Sequence, residues 1–497
     1  MMRGMPSWMF ELDQASGTTK QTQIREYFVK AILNRGMMPG DALPSTRQLS
    51  EHLHVSRNTV ILAYQALTDS GYIEPVSRSG FIVSQDAPVS PLQEQGNSSQ
   101  TTDQVTWADK FIHTPRPLNI VSKPLNWREY RYPFTYGQAD LHLFSHSEWR
   151  DCARQALGMR DFGITAGDFG FNDDPLLVDY ICSHSLPRRG IRVKPEQILV
   201  TMGAQNALFL LAQLLVDETR QVVIEDPFYP DLRELLKKRT PLIRRLPVDD
   251  DGIVIDDDVI AASDIVIVTP SHQCPTTATM SRERRNHLLS LAQRHDVLII
   301  EDDYEFEMNF LQTPSPALKS LDESGHVIYV GSFSKSLFPG LRLGYLVASE
   351  TLIAEARALR HLMLRHPPGQ TQRTAAYFMA LGHYDAQIRR LRRHFETRRQ
   401  ILKSALDQAP LLKETGSHFG GTSFWVRGPS WLDTRKLAEH AAKQGVLIEA
   451  GDTFFGEADP PRNYLRLAYS SIGDSEIRPG FAKLAESVEA MKAADGR

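Results

Sequence analysis

Cysteine is scarce in this sequence, and its scarcity excludes two classes of protein. Only Cys152, Cys182 and Cys274 occur among 497 residues, and no Cys-X-X-Cys pair is present. A disulfide framework and a cysteine zinc cluster are therefore excluded, and no metal site is predicted. Such low cysteine usage is typical of a reducing compartment, so we expect a cytoplasmic protein.

Long apolar segments are also missing. No run reaches the roughly 18–20 apolar residues that would cross a bilayer, and residues 1–12 lack the basic and apolar parts of a secretory signal. An excess of positive charge is missing as well, because the formal net charge at pH 7 is −4. We therefore expect no membrane partner, and any surface that binds nucleic acid must be local.

Three regions of the chain differ in composition. Residues 18–84 are compact and periodic, whereas residues 85–106 are rich in Gln, Ser, Thr, Pro and Asn and hold few apolar side chains. The second region cannot form a core and is predicted to be a flexible linker. In residues 107–497 short apolar strands alternate with amphipathic helices, which is typical of an α/β fold with a mostly parallel sheet.

The first region has the outline of a helix-turn-helix followed by a hairpin. Apolar residues at helical spacing from Ile24 predict a first helix. Ser45 is placed to cap a second helix over residues 46–53, and Ser56 is placed to cap a third. Residues 72–83 are then predicted to form a small hairpin, the wing of such a domain.

Polar side chains at the start of the third helix are candidates for contacting DNA. A recognition helix presents its first residues to base edges and phosphates, and Arg57, Asn58 and Thr59 occupy that position. Arg47 lies at the start of the second helix, and Arg78 lies on the predicted wing. The basic excess of this region is small, because it holds seven Lys or Arg against five Asp or Glu. A plain helical subdomain is therefore the alternative interpretation.

The most informative stretch of the large region is GSFSKSLFPGLRLGY at 331–345. Lys335 follows an apolar strand and is surrounded by small hydroxyl residues. Its amine suits a Schiff base with an aldehyde, while Ser332, Ser334 and Arg342 suit the phosphate of the same cofactor. Pyridoxal 5'-phosphate (PLP) is the cofactor that combines these two groups.

Two further candidate elements follow predicted strands. The strand at 197–201 leads into Gly203, Ala204 and Gln205, a helix start whose small residues let backbone N–H groups approach a phosphate. The strand at 221–225 leads to Tyr229, which suits stacking on a pyridine ring. A tight turn that needs small residues for packing, and a half-buried loop tyrosine, are the alternatives.

Asp302 and Tyr304 end the strand predicted at 297–301, and alternation places them on one side of it. A carboxylate there suits a protonated ring nitrogen, and a tyrosine hydroxyl suits the phenolic oxygen. A surface acidic turn is the alternative. Arg466 lies in a late apolar segment at 464–469, where a buried guanidinium needs an anion; a ligand carboxylate and an internal Asp or Glu are both open.

The first region resembles the winged helix-turn-helix of the GntR family. The matching strings are PGDALPSTRQL at 39–49, VSRNTV at 55–60, GY at 71–72 and SG at 79–80. The resemblance implies that double-stranded operator DNA is a partner. The contact residues predicted on this basis are Arg47, Ser56, Arg57, Asn58, Thr59, Arg78 and Gly80.

Residues from about 134 onward resemble a fold type I aminotransferase, and the whole chain is similar to the MocR subfamily of bacterial regulators. The segment TPSHQCP at 269–275 matches the family pattern beside the cofactor. The resemblance implies that Lys335 binds PLP covalently, with Asp302 at the pyridine nitrogen and Tyr304 at the phenolic oxygen.

The resemblance implies roles for further residues. These are Tyr229 against the ring, Ser334 and Arg342 on the phosphate, and Arg466 on the carboxylate of a ligand. The chain departs from the family at Cys274, where many of these enzymes have Asn, and at residues 276–277, where Pro-Thr/Ser-Gly is usual. Both departures suggest a specialised ligand pocket.

A finer resemblance concerns the segments 167–180, 186–190, 271–280 and 304–311. They are similar to the MocR branch that controls ectoine and hydroxyectoine breakdown, the EnuR type. This resemblance implies an inducer derived from diaminobutyrate.

The prediction is a PLP-dependent transcriptional regulator that senses an amino-acid-type inducer by transaldimination. A working aminotransferase with an accessory head, and a DNA-binding protein with a cofactor-free relic domain, are the alternatives. A homodimer is expected, because fold type I sites are usually built across a subunit boundary and helix-turn-helix heads commonly read paired half-sites.

Overall fold

In the computed structural model, the described residues are 10–76, 80–88, 105–138, 140–168, 170–311, 315–416 and 420–494. The chain divides between Ile112 and His113 into two compact units. Each unit has buried apolar clusters of its own. No helix in the described ranges is long and apolar enough to cross a membrane.

The N-terminal unit holds three helices and a two-stranded antiparallel sheet. They are α1 (Lys20–Leu33), α2 (Thr46–His52), α3 (Arg57–Asp69), β1 (Ile73–Val76) and β2 (Gly80–Val83). The predicted helix-turn-helix and hairpin are confirmed, and only their ends differ slightly from the prediction. Residues 77–79, which include Arg78 of the predicted wing contact, lie outside the described residues.

Local hydrogen bonds explain where the helices of this unit begin. The Ser45 hydroxyl accepts a bond from the Gln48 backbone N–H, and the Gln48 side chain accepts one from the Ser45 N–H, which forms a capping box. The Ser56 hydroxyl accepts from the Thr59 N–H in the same way at α3. Behind the helices, Tyr64 is fully buried and donates to the Pro44 carbonyl at 2.8 Å.

The C-terminal unit alternates helices and strands. The helices are α4 (His146–Ala156), α5 (Met159–Thr165), α6 (Pro175–Tyr180), α7 (Ala204–Leu215), α8 (Pro230–Lys237), α9 (Asp257–Ala261), α10 (Arg282–His295), α11 (Leu318–Leu321), α12 (Glu350–Leu364), α13 (Gly369–Ala380), α14 (His383–Leu406), α15 (Thr434–Ala442) and α16 (Asp474–Ala494). The strands are β3 (Tyr132–Pro133), β4 (Ile198–Thr201), β5 (Val222–Asp226), β6 (Ile243–Asp249), β7 (Gly252–Ile253), β8 (Ile265–Val268), β9 (Leu298–Asp303), β10 (Val327–Ser332), β11 (Gly344–Val347), β12 (Lys413–Thr415), β13 (Ser423–Arg427), β14 (Val446–Leu447), β15 (Glu449–Ala450) and β16 (Tyr464–Ala468).

The main sheet has the strand order β4-β11-β10-β9-β8-β5-β6-β7. The central pairs from β10 to β6 are parallel, and β11 runs antiparallel to both of its neighbours. The predicted α/β class with a mostly parallel sheet is confirmed. Because β4, β5, β9 and β10 point the same way, their carboxyl ends meet at one edge, where open α/β sheets bind ligands.

Burial on both faces explains why these strands are short apolar runs. In β5, Val222 and Ile224 pack into the cluster that holds α7 and α8, whereas Val223 packs into the cluster that holds α10. Neighbouring side chains of a strand point to opposite faces, so both sets must be apolar when helices cover both sides.

The C-terminal unit also holds a second, antiparallel sheet. Its order is β12-β13-β16-β15. In its register Glu449 of β15 lies opposite Arg466 of β16. The two side chains are therefore cross-strand neighbours, although 17 residues separate them in sequence.

Candidate functional site

A cavity of about 390 Å³ opens at the carboxyl edge of the main sheet. Its volume lies within the range of small-molecule and cofactor sites. Ten of the residues predicted from the sequence line it: Ala204, Gln205, Tyr229, Asp302, Tyr304, Ser332, Ser334, Lys335, Arg342 and Arg466. Gly203 lies directly behind this wall, against the guanidinium of Arg342.

Lys335 lies in the turn after β10, and its amine lies over the ring of Tyr136 at 4.0 Å from the centroid. Burial, assisted by the nearby Lys123 and Arg466 charges and opposed by Glu305, lowers the pKa of this amine to about 8. More of the amine is therefore neutral near pH 7 than in an exposed lysine, which makes it a better nucleophile toward an aldehyde. Gly137 allows this position, because a Cβ there would lie 2.6 Å from the Lys335 Nζ.

The acidic run 301–303 is buried throughout, so its interpretation as a surface turn is wrong. Glu301 accepts backbone N–H bonds from Leu318 and Lys319. Asp303 accepts a bond from the Arg189 guanidinium at 2.6 Å. These two acids are engaged by the fold, and of the three only Asp302 faces the cavity.

Asp302 fits the ring nitrogen of PLP. Its Oδ1 atom is buried and has no hydrogen-bond partner among the described residues. Burial, together with the nearby Asp303 and Glu225 carboxylates, raises the pKa of Asp302 to about 7. An unpaired buried acceptor costs free energy. A protonated pyridine nitrogen would donate a hydrogen bond to Oδ1 and so stabilise the charged form of Asp302.

The start of α7 and the turn after β10 form a cradle for an anion. Gly203 has a φ of 81° and precedes the helix, whose first N–H groups point outward. The Arg342 guanidinium donates to the Met202 carbonyl at 3.1 Å and lies 3.2 Å from where a Cβ on Gly203 would be. The hydroxyl of Ser334 lines the same wall. N–H groups, a hydroxyl and a guanidinium together suit a phosphate.

Tyr229 and Cys274 also line the cavity. Tyr229 ends the turn after β5 and is half-buried, so its ring can lie against a bound ring. Cys274 is buried, and burial raises the pKa of its thiol to about 12, which keeps it neutral. Many related enzymes have an asparagine at this position. Here the cavity offers only the thiol of Cys274, which is a weak hydrogen-bond donor.

Arg466 has an internal acidic partner, which is one of the two possibilities that the sequence left open. Its Nε donates to the Glu449 Oε2 at 2.7 Å, and both side chains are buried. Burial opposes the charged form of Arg466, but the Glu449 carboxylate together with Cys274 and Tyr136 outweighs it and raises the pKa of the guanidinium. Within the described residues only Nε is hydrogen-bonded, so the remaining N–H groups of Arg466 are left for an anion in the cavity.

Sequence reasoning missed Lys123, Tyr136 and Asp231, which line the cavity, and Glu449, which pairs with Lys123 and Arg466. The Lys123 amine lies 3.4 Å from the Glu449 Oε1 and donates to the Tyr136 carbonyl. The segment around Lys123 has no regular secondary structure and no hydrophobic period. No sequence signal of the kind used above would have found it, because its charged partner Glu449 lies in β15, far along the chain.

The starts of α2 and α3, which carry the DNA-contact candidates Arg47, Arg57 and Asn58, lie side by side. Arg57 and Asn58 are exposed at the start of α3, and the Arg57 Nε donates to the Thr46 hydroxyl at 3.2 Å. Arg47 is exposed and pairs with Glu51 at 3.0 Å, a surface ion pair that is worth little.

Three of the DNA-contact candidates also have local structural roles. The hydroxyls of Ser56 and Thr59 lie 2.8 Å apart and take part in the cap of α3. Gly80 begins β2 with a φ of 98°, a conformation that favours glycine. These positions do not test contact with DNA, so the DNA contacts of Ser56, Thr59 and Gly80 remain predictions.

Comparisons with known proteins agree with both units. The family of bacterial regulatory proteins called gntR matches residues 20–83, and the family of class I and II aminotransferases matches residues 175–484. The HTH-type transcriptional regulator TauR of Rhodobacter capsulatus is 46% identical over 97% of this chain and 99% of its own. The probable rhizopine catabolism regulatory protein MocR of Rhizobium meliloti is 29% identical over 97% of both chains.

Among solved structures, the α-aminoadipate aminotransferase LysN of Thermus thermophilus, complexed with N-(5'-phosphopyridoxyl)-L-leucine, is similar to the C-terminal unit. The TM-score is 0.71 over 78% of this chain and 100% of that one, at 24% identity, which shows the fold alone. The finer resemblance to the ectoine branch stays a prediction. The matches along nearly the whole length show that this chain belongs to the MocR-like, GntR-type transcriptional regulators that carry a class I and II aminotransferase domain.

Proposed function

We propose that this regulator binds PLP at Lys335 and uses it to sense an amino-acid-type inducer. The observation that carries the proposal is the pairing of a half-buried, low-pKa lysine with an unpartnered buried carboxylate, Asp302, in one cavity. PLP supplies an aldehyde that amines attack and a pyridine ring that withdraws electrons. Ser334, Arg342 and the start of α7 would hold its phosphate, and Asp302 its ring nitrogen.

Lys335 would hold the aldehyde until the amine of an inducer displaces it, while Arg466 binds the acidic group of the inducer. Such an exchange changes DNA binding only if the inducer interacts differently with two arrangements of the protein. The N-terminal unit would bind operator DNA through Arg47, Arg57 and Asn58.

Borohydride reduction tests this function directly. Reduction of PLP-loaded protein should attach a phosphopyridoxyl group to Lys335, detected by peptide mass spectrometry. Titration with an inducer should change the visible absorbance and the retardation of operator DNA over the same concentration range. An unlabelled Lys335 would rule out the sensing mechanism.

An active aminotransferase is the second candidate function, because the lysine, the ring carboxylate and the acid-binding arginine all line the cavity. Incubation with an amino donor and a keto acid separates the two. Sustained formation of the new amino acid supports an enzyme, whereas a spectral change that stops at one equivalent supports a sensor.

A diaminobutyrate derivative is the inducer that we propose on the strength of the ectoine-branch resemblance. Asp231 supports it, because this half-buried acid also lines the cavity and suits a second amine or an amide N–H. Comparing 2,4-diaminobutanoate with 2-aminobutanoate, which lacks the second amine, tests the idea. Equal apparent affinities would exclude a role for the second amine.

We also propose that the protein is a homodimer, in line with the paired half-sites that helix-turn-helix proteins commonly read. Light scattering coupled to size exclusion, at several protein concentrations, measures its mass. A monomeric mass at the concentration that retards DNA would contradict this proposal.

A further inference from the structure

One end of the cavity holds two cations that share one buried carboxylate. The Arg466 Nε donates to one oxygen of Glu449 at 2.7 Å, and the other oxygen lies 3.4 Å from the Lys123 amine. That second oxygen also accepts the Tyr136 backbone N–H at 3.1 Å. Both oxygens of Glu449 are therefore fully engaged within the fold.

We propose that Lys123 is the second cation of the acid-binding end of this cavity and selects inducers with an acidic group close to the amine. The inference rests on the proposed function, since it specifies what the same cavity accepts. Lys123 and Arg466 together would bind the acidic group, with Glu449 holding both side chains in place. Lys123 is then a specificity-determining residue contributed by the irregular segment before β3.

The charge of this end supports the proposal. Two cations face one paired carboxylate, which leaves one positive charge in excess in a largely buried place. Asp231 is the other acid near Lys123, but it forms no ion pair with Lys123 in the described ranges. A bound anion would balance the excess, since a buried charge is costly without a partner.

The position of Lys123 relative to Lys335 limits the length of the ligand. A Cβ on Gly137 would lie 2.6 Å from the Lys335 Nζ and 3.9 Å from the Lys123 Nζ, so both amines face the same point of the chain. The amine of the ligand must reach the aldehyde carried by Lys335, and its acid must reach Lys123 and Arg466. A short amino acid satisfies both conditions.

The test compares two amines with the same number of carbon atoms, β-alanine and n-propylamine, on PLP-loaded protein. In the unaltered protein β-alanine should bind more tightly, measured by visible absorbance. Lys123→Met should weaken β-alanine roughly 10- to 100-fold relative to n-propylamine, because a charge-assisted hydrogen bond is lost. Lys123→Arg should restore most of the difference, and Lys413→Met, an exposed lysine of β12, should change nothing.

The ratio of the two affinities isolates the role in acid binding. Lys123 also lowers the pKa of Lys335, an effect that alters both amines alike. If Lys123→Met weakens both amines equally, or if β-alanine binds no tighter than n-propylamine to the unaltered protein, the proposal is overturned.

A second measurement separates this proposal from the sensing function. Calorimetric titration of cofactor-free protein with butanoate, in phosphate buffer that occupies the other anion site, needs no reaction at Lys335. If neither amine alters the absorbance, the sensing function fails. The proposed role of Lys123 still stands if butanoate binds about ten-fold tighter to the unaltered protein than to Lys123→Met. It is overturned if both proteins bind butanoate equally.

Discussion

The DNA-contact candidates and the cofactor candidates differ in how much of the chain is needed to place them. Arg47, Arg57 and Asn58 lie within a short stretch, on two helices whose caps are made by neighbouring residues. Lys335, Asp302 and their partners come from separate strands of one sheet and from a second sheet. The DNA-contact candidates are mostly exposed, whereas the cofactor candidates are mostly buried or half-buried.

This difference predicts how each region responds to change. An exposed side chain on a capped helix can be removed with little effect on the rest of the fold. A buried group that lacks its ligand affects both binding and stability, because its charge is already taken out of water. Substitutions in the two regions should therefore have separable effects.

The largest expected effect is at Lys335. Lys335→Met should abolish covalent attachment of PLP and every inducer-dependent change in operator retardation, while operator binding without inducer remains. Absorbance and borohydride labelling measure the loss. Lys194→Met, an exposed lysine, is the control and should behave as the unaltered protein. Loss of operator binding in Lys335→Met would show that the two regions are not separable.

Asp302 should show a stability effect with a defined sign. Burial raises its pKa from 3.8 to about 7, so the folded state holds the proton more tightly than the unfolded state. Its contribution to stability is complete below about pH 4 and is lost as the pH rises through about 7. Asp302→Asn should therefore raise the free energy of unfolding of cofactor-free protein at pH 8 by up to about 4 kcal/mol, with little change at pH 4.

Denaturant unfolding at both pH values measures this effect, and Asp303→Asn is the matched control. Asp303 accepts a bond from the buried Arg189 and is charged in the fold. Removing its charge should destabilise the protein by about 3–5 kcal/mol, the opposite sign. Destabilisation of the cofactor-free protein by Asp302→Asn at pH 8 would contradict the assignment of Asp302 as an unpaired acceptor.

Arg57 should affect DNA binding alone. Arg57→Ala removes an exposed guanidinium at the start of α3, and we expect operator affinity to fall roughly 10- to 100-fold at fixed salt. Fluorescence anisotropy with labelled operator measures the loss, and the PLP absorbance should stay unchanged. Arg25→Ala, an exposed arginine of α1, is the control. Equal losses in both variants would indicate only a general charge effect.

The smallest effect is expected at Ser56. Its hydroxyl accepts the Thr59 N–H at 3.1 Å, so Ser56→Ala should lower the stability of the N-terminal unit by about 1 kcal/mol. Thermal unfolding of the protein measures it, and Ser70→Ala at the other end of α3 should have a smaller effect, since only its backbone caps the helix. If Ser56→Ala weakens operator binding more than Arg57→Ala does, Ser56 contacts DNA rather than only the helix.

Prediction from the sequence succeeded where structure depends on neighbouring residues. The strands predicted at 197–201, 221–225 and 297–301 are β4, β5 and β9, and the apolar strand predicted before Lys335 is β10. The ends of parallel strands meet at one edge, so the residues after four of them could be grouped into one site in advance. Prediction was incomplete at Arg466, where an internal acid and a ligand both remained open.

Residue order alone was enough to place capped helices, apolar strands and the lysine-bearing turn, because propensity, capping and strand alternation act over a few neighbours. Packing alone decided that Asp302 keeps a free oxygen while Asp303 is paired, since their partners lie far away in the chain. Packing also brought Lys123 beside Glu449 from a segment without regular structure. The electrostatic free energy of a buried group depends on the charges and dipoles around it, and only folding of the chain brings those groups together.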